Sequence, residues 1–142
     1  MNISIDFDLT ITNPDAIFQE VGTLQKDADV YIRKLYEEGH QILINTCRSG
    51  RAEGMAQDFL EKHNIPFTYI NSNLPELITY YKQDCRKLSA DVYIDDKCLM
   101  GLPPTWKEIY DLVQLRDIKI SVVDKIRSYS DDFNKKLYEG KI

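Results

Sequence analysis

Ile3-Ser4-Ile5-Asp6-Phe7-Asp8-Leu9-Thr10 opens the chain as a short apolar run that delivers two carboxylates two residues apart. In an extended segment side chains alternate faces, so Asp6 and Asp8 project the same way while Phe7 points into packing. Like charges held that close are costly unless a cation or a shared proton relieves them. Acid pairs recur in Val92-Tyr93-Ile94-Asp95-Asp96, again after a β-branched and aromatic run. In open parallel α/β sheets, ligands bind beyond the carboxyl ends of the strands, near where the strand order reverses. The two pairs are therefore expected to meet.

Between them the chain alternates. Leu24, Ala28, Tyr31, Ile32 and Leu35 recur at helical spacing with Gly39 as a stop, and a strand follows from His40 to Asn45. The segment from about Ser49 to His63 carries Met55, Phe59 and Leu60 on one face, and Pro66 fits its termination. Phe67 to Ile70 reads as a third strand. Pro75 to about Lys87, acidic at its start and basic at its end, reads as a helix. Asp91 to Ile94 is the fourth strand. Trp106, Ile109, Tyr110 and Val113 suggest a further helix with Pro104 near its first turn. Ile118 to Ser121 reads as a short edge strand or a lead-in to a last helix. That helix uses Ser121 and Asp124 as a capping box and buries Val122, Ile126, Tyr129, Phe133 and Leu137, either against the sheet or in a dimer contact. The alternation predicts a three-layer α/β sandwich with a Rossmann-like, mostly parallel sheet.

At 142 residues, 43% hydrophobic and 29% charged, the chain suits one domain, 1–142, with a real core. No repeat, low-complexity tract or linker composition suggests a boundary. A formal net charge of −5 disfavours non-specific attraction to nucleic acid, though it leaves room for a local basic patch. Cys47, Cys85 and Cys98 show no Cys-x-x-Cys spacing and are odd in number, which suits reduced thiols. With no secretory pattern at the N-terminus and no bilayer-length apolar segment, a soluble, cytoplasmic protein with no membrane partner is expected.

Four groups fall at or near the ends of successive predicted elements: Asp6/Asp8/Thr10, then Thr46 and Arg48, then Lys87, then Asp95/Asp96. Carboxylates bind Mg²⁺, which keeps positions for water and a substrate phosphate. Lys87 and Thr46 are the candidates for the remaining phosphate oxygens. Asp-x-Asp-x-Thr after a first strand, Thr after a second, then Lys, then a paired Asp-Asp resembles the four ordered motifs of the haloacid dehalogenase superfamily of phosphohydrolases. The resemblance runs from about Asn2 to Lys97.

That resemblance implies Mg²⁺-dependent hydrolysis of a phosphate monoester. Asp6 is implied as the nucleophile that becomes an aspartyl phosphate, and Asp8 as the acid that protonates the leaving oxygen and then activates water. Mg²⁺ is implied at an Asp6 oxygen, the Asp8 carbonyl and Asp95 or Asp96. Thr46 and Lys87 stabilise the transferring group. Thr10, Arg48 and Arg51 are assigned to the substrate's surroundings, Thr10 chiefly as the tie of the motif loop and the arginines toward the leaving group. Asn45, where an apolar residue is usual, and Lys97, where Arg often follows the acidic pair, depart from the pattern. Lys82 and Lys97 compete with Lys87 for its role.

Thr10 to Thr46 has room for a loop, one helix and one strand, and Thr46 to Lys87 for helix, strand and helix. No cap domain fits. A capless site in this superfamily goes with larger substrates or with an oligomer partner closing it; the resemblance implies a phosphorylated small molecule or a larger phosphate monoester as substrate and leaves room for a homo-oligomer. Asn13, Pro14 and Phe18 are candidates for local shaping. Cys47 is expected to be a buried small residue beside the site. A cysteine-phosphatase loop is excluded, because the sixth residue after each cysteine is Glu53, Asp91 or Pro104 rather than Arg. His40 and His63 are too isolated for a zinc cluster, and Tyr80, Tyr81 and Trp106 read as packing residues. A receiver-type phospho-acceptor domain uses similar groups in another order, acidic pair first. An inactive relative that binds phosphate remains a third reading.

Overall fold

A computed structural model describes residues 1–17 and 19–141, so Phe18 lies outside the described residues. They fall into two compact units, Met1–Tyr110 and Asp111–Ile142, and the division lies within the last helix.

In the first unit β1 (Asn2–Ile5), β2 (Gln41–Ile44), β3 (Tyr69–Ile70) and β4 (Val92–Ile94) alternate with α1 (Ala28–Glu37), α2 (Arg51–Lys62) and α3 (Pro75–Tyr81). The strands form one sheet in the order β3-β2-β1-β4, and every pairing is parallel. Ile5 stands level with Ile44 and Ile94, so β1, β2 and β4 end side by side. The order reverses between β1 and β4, where a parallel sheet opens a crevice for ligands. The architecture is α/β with Rossmann-like winding.

Burial explains why these runs are strands. Ile3, Ser4 and Ile5 on β1, and Ile42, Leu43 and Ile44 on β2, are all buried, so both faces of the central strands are covered. Leu43 packs with Leu74, Leu88 and Leu77 of α3, which accounts for one of those faces. α1 starts later than the spacing of Leu24 suggests: Leu24 forms an antiparallel bridge with Thr12 instead, and the helix ends with Gly39 at φ 91°, a conformation that suits glycine.

α3 is shorter than expected and stops at Tyr81, with Lys82 left-handed at φ 59°. The cause lies outside the local sequence. Asn73, itself buried, donates to the Asp84 carboxylate and to the Cys85 carbonyl and accepts from Ser89 N–H at 2.7 Å. These bonds draw residues 84–89 into a loop, and they hold the Asp84 carboxyl below its usual range through the Asn73 hydrogen bonds.

α4 (Trp106–Tyr138) is one continuous helix of 33 residues, which corrects both the strand or lead-in at Ile118–Ser121 and the helix start at Ser121. The capping box is at Thr105. Its backbone N–H and its hydroxyl both reach the Glu108 carboxylate, and Glu108 N–H donates to the Thr105 hydroxyl at 3.2 Å. No Gly or Pro interrupts 106–138, so nothing stops the helix at Ser121. Trp106, Ile109 and Val113 are buried, whereas Val122, Ile126, Tyr129, Phe133 and Leu137, expected to be buried against the sheet or in a dimer contact, are exposed in the single chain.

Replacing Thr105 by Ala is expected to lower unfolding stability by about 1 kcal/mol, the typical value of an N-cap hydroxyl. Ser121→Ala, on an exposed mid-helix position, should be neutral or slightly stabilising. Urea unfolding of both variants checks the assignment; a larger loss at Ser121 contradicts it.

Candidate functional site

The site begins where β1 ends. Asp6 N–H donates to the Ile94 carbonyl at 2.8 Å, and Asn45 N–H donates to the Ile5 carbonyl, so three strand ends are pinned together. The chain then turns back on itself: Ile11 and Thr12 N–H both reach the Phe7 carbonyl, and Leu9 takes a left-handed φ of 63°. Phe7 is buried at the centre of this turn, against Phe59. The turn brings buried Thr10 beneath Asp6.

Thr10 is a junction. Its hydroxyl donates to Asp6 Oδ2 at 3.0 Å and accepts from Asp96 N–H at 3.0 Å, while its carbonyl accepts from the Trp106 indole N–H at 3.2 Å. Asp6, Asp95 and Asp96 thereby converge, each offering one carboxylate oxygen within 4.8 Å of the others. Lys97 closes the group: its backbone N–H reaches Asp95 Oδ1 at 2.8 Å and its Nζ reaches Asp96 Oδ2 at 3.0 Å.

Burial pushes the Asp6 carboxyl up to about 7, and the charges of Asp95 and Asp96 add to it against the hydrogen bonds from Thr10 and the Phe7 N–H. Lys97 is held above its usual range by its hydrogen bond to Asp96 and by the charge of Asp96, with Asp6 and Asp95 contributing. A half-buried carboxylate crowded by two others fits a divalent cation, which removes the repulsion that raises its pKa.

Asp8 is treated differently. Arg48, itself buried, grips its carboxylate with Nε at 2.8 Å from Oδ2 and Nη2 at 2.7 Å from Oδ1. Arg48 also donates to the Gln19 carbonyl at 3.0 Å and to the Glu20 carbonyl at 2.7 Å, and its guanidinium lies over the Phe7 ring. The fork expected to meet a leaving group is thus engaged by Asp8 and by the loop at 19–20. Asp8 itself keeps 44% of its side chain exposed.

A cavity of about 220 Å³ is lined by Asp6, Asp8, Leu9, Cys47, Asp95, Asp96 and Lys97. Cys47 is exposed there, which corrects its expected burial; all three cysteines are free thiols. Neither Thr46 nor Lys87 lines the cavity. Thr46 accepts the Arg48 N–H on its hydroxyl and donates its own N–H to Asn71 Oδ1, so it shapes the turn after β2. Lys87 is exposed, with its ammonium 5.2 Å from the centre of the Tyr93 ring. The lysine brought to the acids is Lys97, because the loop after the shortened α3 carries Lys87 to Tyr93. Arg51, first in α2 and exposed, borders a separate groove of about 310 Å³ with Gln19, Glu20 and Ser49. Asn13 ties its loop through Thr23 and the Leu24 carbonyl.

Asn71 escaped the sequence reading. Left-handed at φ 50°, it bonds Thr46 N–H, the Arg48 carbonyl and Glu53 Oε2, and so braces the turn that presents Arg48. Its signal was an Asn directly after a predicted strand, a residue that tolerates this conformation.

Neither a family model nor a curated protein matches the chain. Among solved structures, it is similar to a conserved protein coded by a locus of Bacteroides thetaiotaomicron. The two share 28% identity over 82% of this chain and 91% of that one, at a TM-score of 0.72. The likeness supports the α/β fold and carries no activity with it. Among the described residues no helix is long and apolar enough to cross a membrane.

Asp6 has its folded pKa raised, so its stabilising contribution is complete below the ordinary value of 3.8 and is lost as pH rises through about 7. Asp6→Asn carries no such loss. In chelator, the melting temperature of the variant relative to the parent should therefore climb between pH 5 and pH 8. Melting curves at the two pH values test this, and an unchanged difference contradicts the assigned crowding.

Proposed function

We propose that the chain is a capless phosphohydrolase of the haloacid dehalogenase type, a three-layer sandwich that hydrolyses a phosphate monoester through an aspartyl phosphate with Mg²⁺. The observation that carries this reading is the meeting of Asp6 with Asp95 and Asp96 beside a second carboxylate, Asp8, at the exit of β1. An open cavity bordered by all four acids supports it.

In this reading an Asp6 oxygen attacks phosphorus and the ester oxygen leaves with a proton from Asp8. Asp8, now a carboxylate, takes a proton from water, which attacks the aspartyl phosphate and returns free Asp6 and inorganic phosphate. Arg48 holds both oxygens of Asp8 while leaving it partly exposed, an arrangement that favours the carboxylate that takes the proton from water; to act first as the acid, Asp8 must take up a proton with one prong of Arg48 released. Asp6, Asp95 and Asp96 would hold Mg²⁺, whose charge offsets the repulsion between Asp6 and an anionic phosphate. Lys97, on a flexible stem and largely exposed, takes the phosphate-binding role first given to Lys87. Thr10 holds Asp6 and the Asp96 backbone in place and is a positioning residue.

Hydrolysis of p-nitrophenyl phosphate with Mg²⁺ tests the reading. Chelator and Asp6→Asn should each abolish turnover, and Lys97→Met should lower kcat/KM by roughly 10- to 100-fold, the loss of one charge-assisted contact. Lys87→Met should leave it within twofold. Undiminished turnover by Asp6→Asn refutes the nucleophile, and a larger effect at Lys87 than at Lys97 refutes the lysine assignment.

A further inference from the structure

The second unit carries a surface that the proposed reaction does not use. Every described residue from 121 to 141 is exposed, yet α4 presents Leu115, Ile118, Val122, Ile126, Tyr129, Phe133 and Leu137 at steps of three, four and four. An 11-residue repeat, about 3.67 residues per turn, keeps such a stripe nearly straight along an α-helix. Asp117, Asp124 and Asp131 fall on the opposite side of the helix at 100° per residue, so the stripe is one face of an amphipathic helix. Exposure along it runs from 50% at Val122 to 76% at Tyr129.

We propose that this face pairs with the same face of a second copy of the chain, in an antiparallel helical dimer centred on Ile126. Two observations favour a second copy. The stripe is self-complementary in reverse: Leu115 meets Leu137, Ile118 meets Phe133, Val122 meets Tyr129, and Ile126 meets itself. Each aromatic then faces a β-branched side chain, so bulky and small residues alternate across the seam. A parallel pair instead stacks Tyr129 on Tyr129 and Phe133 on Phe133.

The second observation is area. At on the order of 100 Å² for each of these side chains, the stripe amounts to about 700 Å² per chain. A standard interface takes about 800 Å² per partner, and the stems of Lys119, Lys125 and Lys136 lie near enough to supply the difference. Most helical stability in proteins comes from packing an apolar face, and this helix, about 50 Å long, leaves every described residue from 121 onward exposed.

The test uses the full chain. Sedimentation equilibrium at 100 µM should give twice the 16.6 kDa chain mass, and the double variant Ile126→Asp/Phe133→Asp should give a single chain mass. Both changes fall on exposed positions, so the parent's α/β fold, followed by near-ultraviolet circular dichroism, should persist. A monomeric parent, a higher oligomer, or a dimer that survives the double variant overturns the proposal. With Cys47, Cys85 and Cys98 replaced by Ser, oxidation should cross-link Ile126→Cys and leave Leu137→Cys uncross-linked. Cross-linking at Leu137, or none at Ile126, overturns the antiparallel register.

Discussion

The hydroxyl of Thr10 joins parts of the chain that are far apart in sequence. It donates to Asp6 at the end of β1 and accepts from the backbone of Asp96 after β4, so one buried group fixes the distance between the two acidic motifs. A hydroxyl suits this position because it gives one hydrogen bond and receives another. The turn through left-handed Leu9 places it there, and the Trp106 indole on its carbonyl holds the turn from the other side. Among the described residues no buried side-chain polar atom lacks a partner, so this junction stores no unsatisfied group. Removing the hydroxyl would leave the Asp96 N–H without its acceptor and Asp6 with less to offset its neighbours' charges.

The four carboxylates around the cavity are not equivalent. Asp8 has Arg48, a buried cation with a two-pronged fit, while the cation seen at Asp6, Asp95 and Asp96 among the described residues is Lys97, exposed and on a flexible stem. One acid is thus neutralised by the fold, and three share an incomplete neutralisation. Burial raises the Asp6 pKa and that imbalance adds to it, in a cluster whose geometry could hold a cation. The acid pair of the sequence is therefore two kinds of acid, one held by the charge of Arg48 and one crowded by two further carboxylates.

Much of this was legible in the sequence because it depended on local pattern. The strands read as apolar runs since central parallel strands are buried on both faces, and Asp6, Asp8, Asp95 and Asp96 follow directly from strand ends. What failed depended on long-range bonds. α3 looked helical to Lys87 because nothing near Tyr81 announces that Asn73 will take the Asp84 carboxylate, and with the helix shortened Lys87 lies over Tyr93 rather than at the acids. Arg48 looked like a ligand-binding arginine because its partner Asp8 lies 40 residues away. The helix starting at Trp106 was legible, and Thr105-x-x-Glu108 caps it, but the Ser-x-x-Asp pattern at Ser121 read as the start of a second helix rather than as a continuation of the first. Only the absence of a stop before Ser121 decides between them.

Arg48 gives the rim its internal logic. Its donors divide between the Asp8 carboxylate and the carbonyls of Gln19 and Glu20, so the orientation of Asp8 and the position of that loop are set by one side chain. Asn71 and Thr46 fix the backbone of Arg48 in turn, through its carbonyl and its N–H. Movement of the loop at 19–20 away from the cavity must either break charge-assisted bonds or carry Arg48 with it, and the latter strips Asp8 of its counter-charge. That coupling ties the surroundings of the second carboxylate to the loop that borders the neighbouring groove.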